Sequence, residues 1–184
     1  MESIREFGQA DDWDQGGTPV NLLARIFRSA GLRPAWSLER RLNRRALLYW
    51  QSIKQDGELV VVDAFDPQSL EDYSAHGFML DLRQTQTPIV CHVGPVLLEE
   101  ADLTTLPVDL TAVSQRSLLG QFAGRWPEVM SQQQPVTAEY DFATERYQIL
   151  CRGVLLPLSS DGQVIDHVYG VISWKSEKLP VAGL

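Results

Sequence analysis

Residues 134–174 hold three strand-like runs joined by two short turns, and this succession commits the chain to an antiparallel sheet. Val136, Ala138, Tyr140 and Phe142 alternate with Thr137, Glu139 and Asp141, the period-two pattern of a half-buried strand. Tyr147–Leu158 and Gln163–Trp174 are longer runs rich in branched residues, and Asp161-Gly162 lies between them. Asp-Gly favours a tight hairpin because glycine tolerates positive φ. The stretch therefore predicts a three-stranded meander.

The faces of these strands carry a second constraint. In 163–174 one alternating set is Val164, Asp166, Val168, Gly170, Ile172 and Trp174; the other is Ile165, His167, Tyr169, Val171 and Ser173. Neither set is cleanly polar. Tyr147–Leu158 behaves alike, with Ile149 and Cys151 on one side and Leu150, Val154 and Leu156 on the other. A monomer rarely leaves a large apolar face in water. The outer face is expected to be covered by the N-terminal helices or by a second subunit.

The rest of the chain supplies the cover. Residues 1–17 are polar and acidic and read as a disordered start. Residues 18–37 form a helical extension, with Thr18-Pro19 as cap and first position and a stripe of Leu22, Leu23, Ile26 and Phe27. Ser37 opens a longer helix reaching about Gln55, which gathers Leu42, Ala46, Tyr49, Trp50 and Ile53 on one face. Its other face carries Arg40, Arg41, Arg44 and Arg45, a solvated surface or a place for an acidic partner. Leu59–Ala64 is strand or extended chain, and Asp66-Pro67 caps a short helix through about Tyr73. Strands at 77–83 and 89–93 form a hairpin. Residues 95–133 turn helical, with Leu118, Phe122, Trp126 and Met130 on one stripe that starts after Ser114 and that Pro127 should divide. Residues 175–184 read as a tail.

Composition narrows the function. The 184 residues suit one domain with extensions, and 44% hydrophobic residues are enough for a globular core. With 16 Lys+Arg against 24 Asp+Glu the net charge is −8, the wrong sign for general attraction to nucleic acid or anionic membrane. No apolar run approaches the ~20 residues that span a bilayer, and the acidic N-terminus lacks a signal-peptide layout. A cytoplasmic location is expected. Cys91 and Cys151 lie in strand runs and read as buried free thiols, and the three histidines show no metal-ligand spacing. Catalytic and phosphate-binding signatures such as GxSxG, GxGxxG and GxxxxGK[ST] are missing. Glu99, Glu100 and Asp102 form an acidic group that reads as a solvated helix end.

Helices, two strands, a helical segment and three more strands imply an α+β layer arrangement with a five-stranded antiparallel sheet. The stretches RALLYWQSIK (45–54), FDPQSLEDYSAHGFMLDL (65–82), SLLGQFAG (117–124) and RGVLLPLSSDGQVIDHVYGVISW (152–174) resemble the PAS domain superfamily, in particular small stand-alone alphaproteobacterial PAS proteins. The resemblance covers residues 38–174. It implies a PAS-like five-stranded sheet, a helical insert between strands 2 and 3, and N-terminal helices on the outer face. It also implies a sensory or regulatory module, which binds a small molecule between sheet and helices, forms a homodimer, or contacts a signalling protein; the net charge and the missing motifs point to no nucleic acid or membrane partner and no catalytic residues.

No particular cofactor is indicated. The chain lacks the cysteine motif of flavin-binding PAS domains, and no His falls between 95 and 132, where haem-binding PAS domains carry one. The candidate pocket comprises Leu118, Phe122 and Trp126 on the helical segment with Tyr140, Phe142, Ile149, Cys151, Tyr169 and Val171 on the strands; His92 and His167 could orient a ligand. The same residues equally describe a closed core. Two alternatives stay open: a ligand-free dimerisation module, and a small hydrolase or isomerase of the nuclear-transport-factor-like type using Tyr140, Asp141 and His167. Strand parity counts against the last, because Tyr140 and Asp141 point to opposite faces.

Overall fold

Alternation in the C-terminal strands builds the sheet. In the computed structural model, which describes residues 41–83, 87–143 and 147–178, β1 (Gly77–Asp81), β2 (Ile89–Val93), β3 (Val108–Asp109), β4 (Val136–Ala143), β5 (Tyr147–Leu158) and β6 (His167–Lys178) form one six-stranded antiparallel sheet. The strand order is β3-β2-β1-β6-β5-β4, so the last strand returns to pair with the first. Readings that fall on residues 1–40 and 179–184, including the helix at 18–37 and Arg40, lie outside the described residues.

Five strands were expected and six are present. The additional one is short: Val108 and Asp109 pair with Val90 and Ile89, inside a segment too broken by Thr and Pro to show a period. The last strand is displaced as well. It begins at His167, and residues 160–166 form a loop. Ser159 and Asp161 stabilise that loop, since Asp161 Oδ1 accepts from Gln163 N at 2.8 Å and Ser159 Oγ accepts from Gly162 N at 2.9 Å. Gly162 has the positive φ (79°) for which Asp-Gly was read. Lys175–Lys178 belongs to β6 and not to a tail, because each residue pairs with β5 out to Tyr147.

Helices cover both faces. On the outer face lies α1 (Leu42–Ile53), whose Leu42, Ala46, Tyr49 and Trp50 pack with Val154, Leu156, Leu158, Tyr169 and Val171. On the inner face lie α2 (Pro95–Glu100), α3 (Leu118–Ala123) and α4 (Trp126–Gln132), whose Leu97, Leu118, Leu119, Phe122 and Val129 pack with Phe78, Leu80, Leu155, Val168 and Ile172. Pro127 divides the stripe 118–130 as predicted, in the first turn of α4. The cap of α3 is Ser117 and not Ser114; its Oγ accepts from Gly120 N. Residues 67–76 form a 3-10 run, capped as expected by Asp66, which accepts from Gln68 N.

Pro157 shows how the edge beyond β4 is closed. β4 stops pairing at Leu155, so beyond it β5 has no strand on that side. A proline can sit there because its missing N–H costs no ladder bond. The Pro157 carbonyl accepts from Trp50 Nε1 at 2.9 Å. Two residues on, Ser159 N donates to Val60 O and Ser159 O accepts from Val62 N, at 2.9 and 2.8 Å. The segment read as strand or extended chain thus makes one parallel bridge, Val61 to Ser159, and then turns into a 3-10 helix.

Candidate functional site

Cross-strand register brings a row of side chains together on the inner face. Tyr140 pairs with Cys151, and Cys151 pairs with Trp174. Directly paired residues share a face, so these three lie side by side beneath the helices. The ring of Phe122 from α3 stands edge-on to Tyr140, with centroids 5.0 Å apart. Gly153 leaves the space that Phe122 occupies, since a Cβ there would overlap the ring. At the far end of the row the His76 imidazole meets Trp174 edge-on, centroids 5.1 Å apart.

Glu100 closes this row from above. It ends α2, and its Oε1 accepts from Leu118 N at 3.2 Å, the first residue of α3. The carboxylate thus ties α2 and α3 together. Burial pushes its pKa up, against the backbone N–H groups of Leu118 and Leu119, which favour the ionised form. The Cys151 thiol donates to Tyr140 O at 3.6 Å. Burial pushes that thiol up, reinforced by the Glu100 and Asp141 carboxylates, so it is a poor nucleophile.

Among the described residues, two buried polar atoms in this layer, Glu100 Oε2 and His76 Nδ1, find no hydrogen-bond partner. A buried polar atom left unmatched costs roughly 1–3 kcal/mol, and native proteins tolerate few. Among the described residues no group of three His, Cys, Asp or Glu is placed to hold a metal ion.

The expected pocket is only partly assembled. Leu118, Phe122, Trp126, Tyr140, Phe142, Ile149 and Cys151 all join the inner-face cluster. Tyr169 and Val171 do not: they belong to the outer-face cluster under α1. The reason is register, because odd-numbered residues of β5 pair with even-numbered residues of β6. The inward set of β6 is therefore Val168, Ile172 and Trp174. His167 points the other way as well, buried beside Asp166 Oδ1 at 2.7 Å and Asp81 Oδ1 at 3.9 Å. His92 is exposed on β2. Cys91 is exposed rather than buried, since the register slips between Met79 and Leu80 and leaves it as the extra residue of a bulge. On α1, Arg44 is exposed but Arg45 is 8% exposed, which removes Arg45 from the expected partner surface; Arg41 is exposed at the helix start.

His76, Glu100 and Trp174 are the members that sequence reasoning passed over. Trp174 shares parity with Val168 and Ile172, which was the available signal. Glu100 looked like part of a solvated acidic end, and its neighbours Glu99 and Asp102 are indeed exposed. Tyr140 lies on the inner face whereas Asp141 is exposed on the outer one.

An open groove of about 590 Å³ runs over β4, β5 and β6, lined by Glu139, Asp141, Leu150, Arg152, Ser173 and Lys175 together with Tyr140, Cys151 and Trp174. No protein-family model matches this chain, and no curated protein is similar enough to be aligned with it.

Proposed function

We propose that this chain is a non-enzymatic sensory or regulatory module of PAS type. It takes a small molecule between the inner sheet face and the inserted helices, and acts through protein contacts, including contacts with a second copy. The observation that carries the ligand reading is the pair of buried, unmatched polar atoms, His76 Nδ1 and Glu100 Oε2. They border an otherwise apolar layer containing Trp174, Phe122 and Leu118. Apolar walls with a few convergent polar groups are what small-molecule sites share. The ligand chemistry that fits is a compact, mostly apolar molecule with one edge able to donate or accept hydrogen bonds. The layer order supports the PAS reading: two strands, a largely helical segment, then a meander whose last strand pairs with the first.

A ligand-free dimerisation module is the second reading. Its support is the close packing of the same layer, where Leu118, Phe122 and Cys151 are at most 2% exposed. The hydrolase or isomerase alternative has less behind it. Two strands precede the helical segment, and Tyr140 does not share a face with Asp141 or His167.

Native mass spectrometry of freshly purified protein, followed by thermal-shift screening against a metabolite panel, separates these readings. A co-purified small mass, or a saturable rise in melting temperature, is expected for the sensory module. No added mass and no shift across the panel would sink the ligand reading and leave the dimerisation module.

A further inference from the structure

The sequence contains two Asp-Gly steps, Asp56-Gly57 and Asp161-Gly162, and the fold holds them differently. This pair of residue types is chemically labile. No side chain shields a glycine N–H, so its nitrogen can attack the carboxyl carbon of the preceding aspartate. Both aspartates are exposed, and both glycines have positive φ, 81° and 79°. Exposure and backbone shape therefore do not separate the two steps, whereas hydrogen bonding does.

At Asp161-Gly162 both reacting groups are engaged. Asp161 Oδ1 accepts from Gln163 N, Ser159 Oγ and Val164 N at 2.8, 2.9 and 3.1 Å. The nucleophile of the reaction, Gly162 N, donates to Ser159 Oγ at 2.9 Å. Ring closure needs the side chain to rotate and the peptide to twist, and either movement breaks these bonds. At Asp56-Gly57 the same groups are free among the described residues: the Asp56 carboxylate has no hydrogen bond or ion pair, and Gly57 N donates to no acceptor. A Cβ placed on Gly57 would meet nothing within 4 Å, so the turn has open space around it. Its closing bond, Glu58 N to Gln55 O, is long at 3.3 Å.

We propose that Asp56 is a site of spontaneous covalent modification, converting to isoaspartate through a succinimide formed with Gly57. Gly57 N bonds to Asp56 Cγ and a carboxyl C–O bond breaks. The oxygen leaves as water, taking the amide proton and one proton from solvent. Water then opens the five-membered ring. Opening at the side-chain carbonyl restores aspartate. Opening at the main-chain carbonyl leaves the chain running through Cγ, with the former main-chain carbonyl as a free carboxylate. No oxidant or cofactor takes part, and the mass is unchanged. The product inserts one extra carbon into the backbone of a turn that joins α1 to Leu59, whose N–H donates to Gly162 O at 3.3 Å. Conversion therefore loosens that joint.

The full chain, held folded at neutral pH and physiological temperature for weeks and then digested, tests this. Electron-transfer fragmentation distinguishes isoaspartate from aspartate at each step, and guanidinium-unfolded chain is the reference. In the folded chain isoaspartate should accumulate at Asp56 about tenfold or more faster than at Asp161, while in guanidinium the two rates converge. Asp56→Glu should abolish the reaction there, because a six-membered ring closes far more slowly. Ser159→Ala, with circular dichroism confirming the fold, should raise the rate at Asp161 by freeing Gly162 N. Amide exchange at Leu59 should quicken in the isomerised fraction. Equal rates at the two steps in the folded chain, or isoaspartate forming at Asp56 only after unfolding, would overturn the proposal. Unchanged exchange at Leu59 would overturn the loosening of the joint.

Discussion

The indole N–H of Trp50 donates to the carbonyl of Pro157 across 2.9 Å, a buried bond between the outer helix and the strand edge where β4 has ended. Replacing the indole by a benzene ring leaves that carbonyl unmatched and opens space beside Leu156 and Leu158. Trp50→Phe is expected to cost about 2–4 kcal/mol. Urea unfolding should show a lower midpoint with unchanged slope. A loss below ~0.5 kcal/mol would mean that water satisfies the carbonyl equally well.

Phe122 and Gly153 meet where α3 crosses the sheet. A methyl group at Gly153 overlaps the Phe122 ring, so Gly153→Ala is expected to destabilise by about 1–3 kcal/mol. Adding Phe122→Leu should recover part of that loss, since the smaller side chain vacates the space. Non-additivity in the double-mutant cycle is the check, and strict additivity would contradict the contact.

Tyr169 buries its hydroxyl against Gly77 without a hydrogen-bond partner among the described residues. Tyr169→Phe should therefore leave stability at neutral pH unchanged or raise it by about 1 kcal/mol. Burial pushes the phenols of Tyr169 and Tyr49 up from their ordinary value near 10. A raised folded pKa gives stability that is full below the unfolded value and lost as pH rises above it. Denaturant titrations should show wild type weakening above about pH 10 and Tyr169→Phe weakening less. An unchanged alkaline slope would remove Tyr169 as a cause.

Arg83 holds the Asp81 carboxyl down at about 2, through a paired hydrogen bond to its side chain. A depressed folded pKa gives stability that is present above the unfolded value near ~4 and lost as pH falls below it. Arg83→Gln should flatten the fall in stability between about pH 4 and about pH 2, with the wild-type and variant curves converging at the acid end. Parallel curves would show that the pair contributes nothing to acid unfolding.

Much of the layer order was readable from periodicity alone. The alternation at 136–142, the long run at 147–158, and the apolar stripe of Leu42, Ala46, Tyr49 and Trp50 correspond to observed elements, whereas the run at 163–174 meets β6 only from His167 onward. Two-sided apolarity in the C-terminal strands correctly required a cover, and α1 provides it over Val154, Leu156 and Tyr169. Register was not readable. Periodicity gives two faces per strand but does not say which face of β6 joins which face of β5, so Tyr169 was grouped with Cys151 when Trp174 belongs there. Glu100 was misjudged for a related reason: a carboxylate that caps a helix eighteen residues away leaves no local pattern. The bulge that turns Cys91 outward depends on pairing with β1 and is equally silent in sequence.

The central claim is a small-molecule site bordered by His76, Glu100 and Trp174, and amide-resolved NMR titration with a compound that shifts the melting temperature tests it most directly. The account predicts saturable shifts concentrated at the Trp174 indole N–H, His76, Leu118 and Cys151, and weakened by Glu100→Gln. Shifts confined to the outer groove around Leu150 and Arg152, with the Trp174 and His76 signals unmoved at saturation, would contradict it.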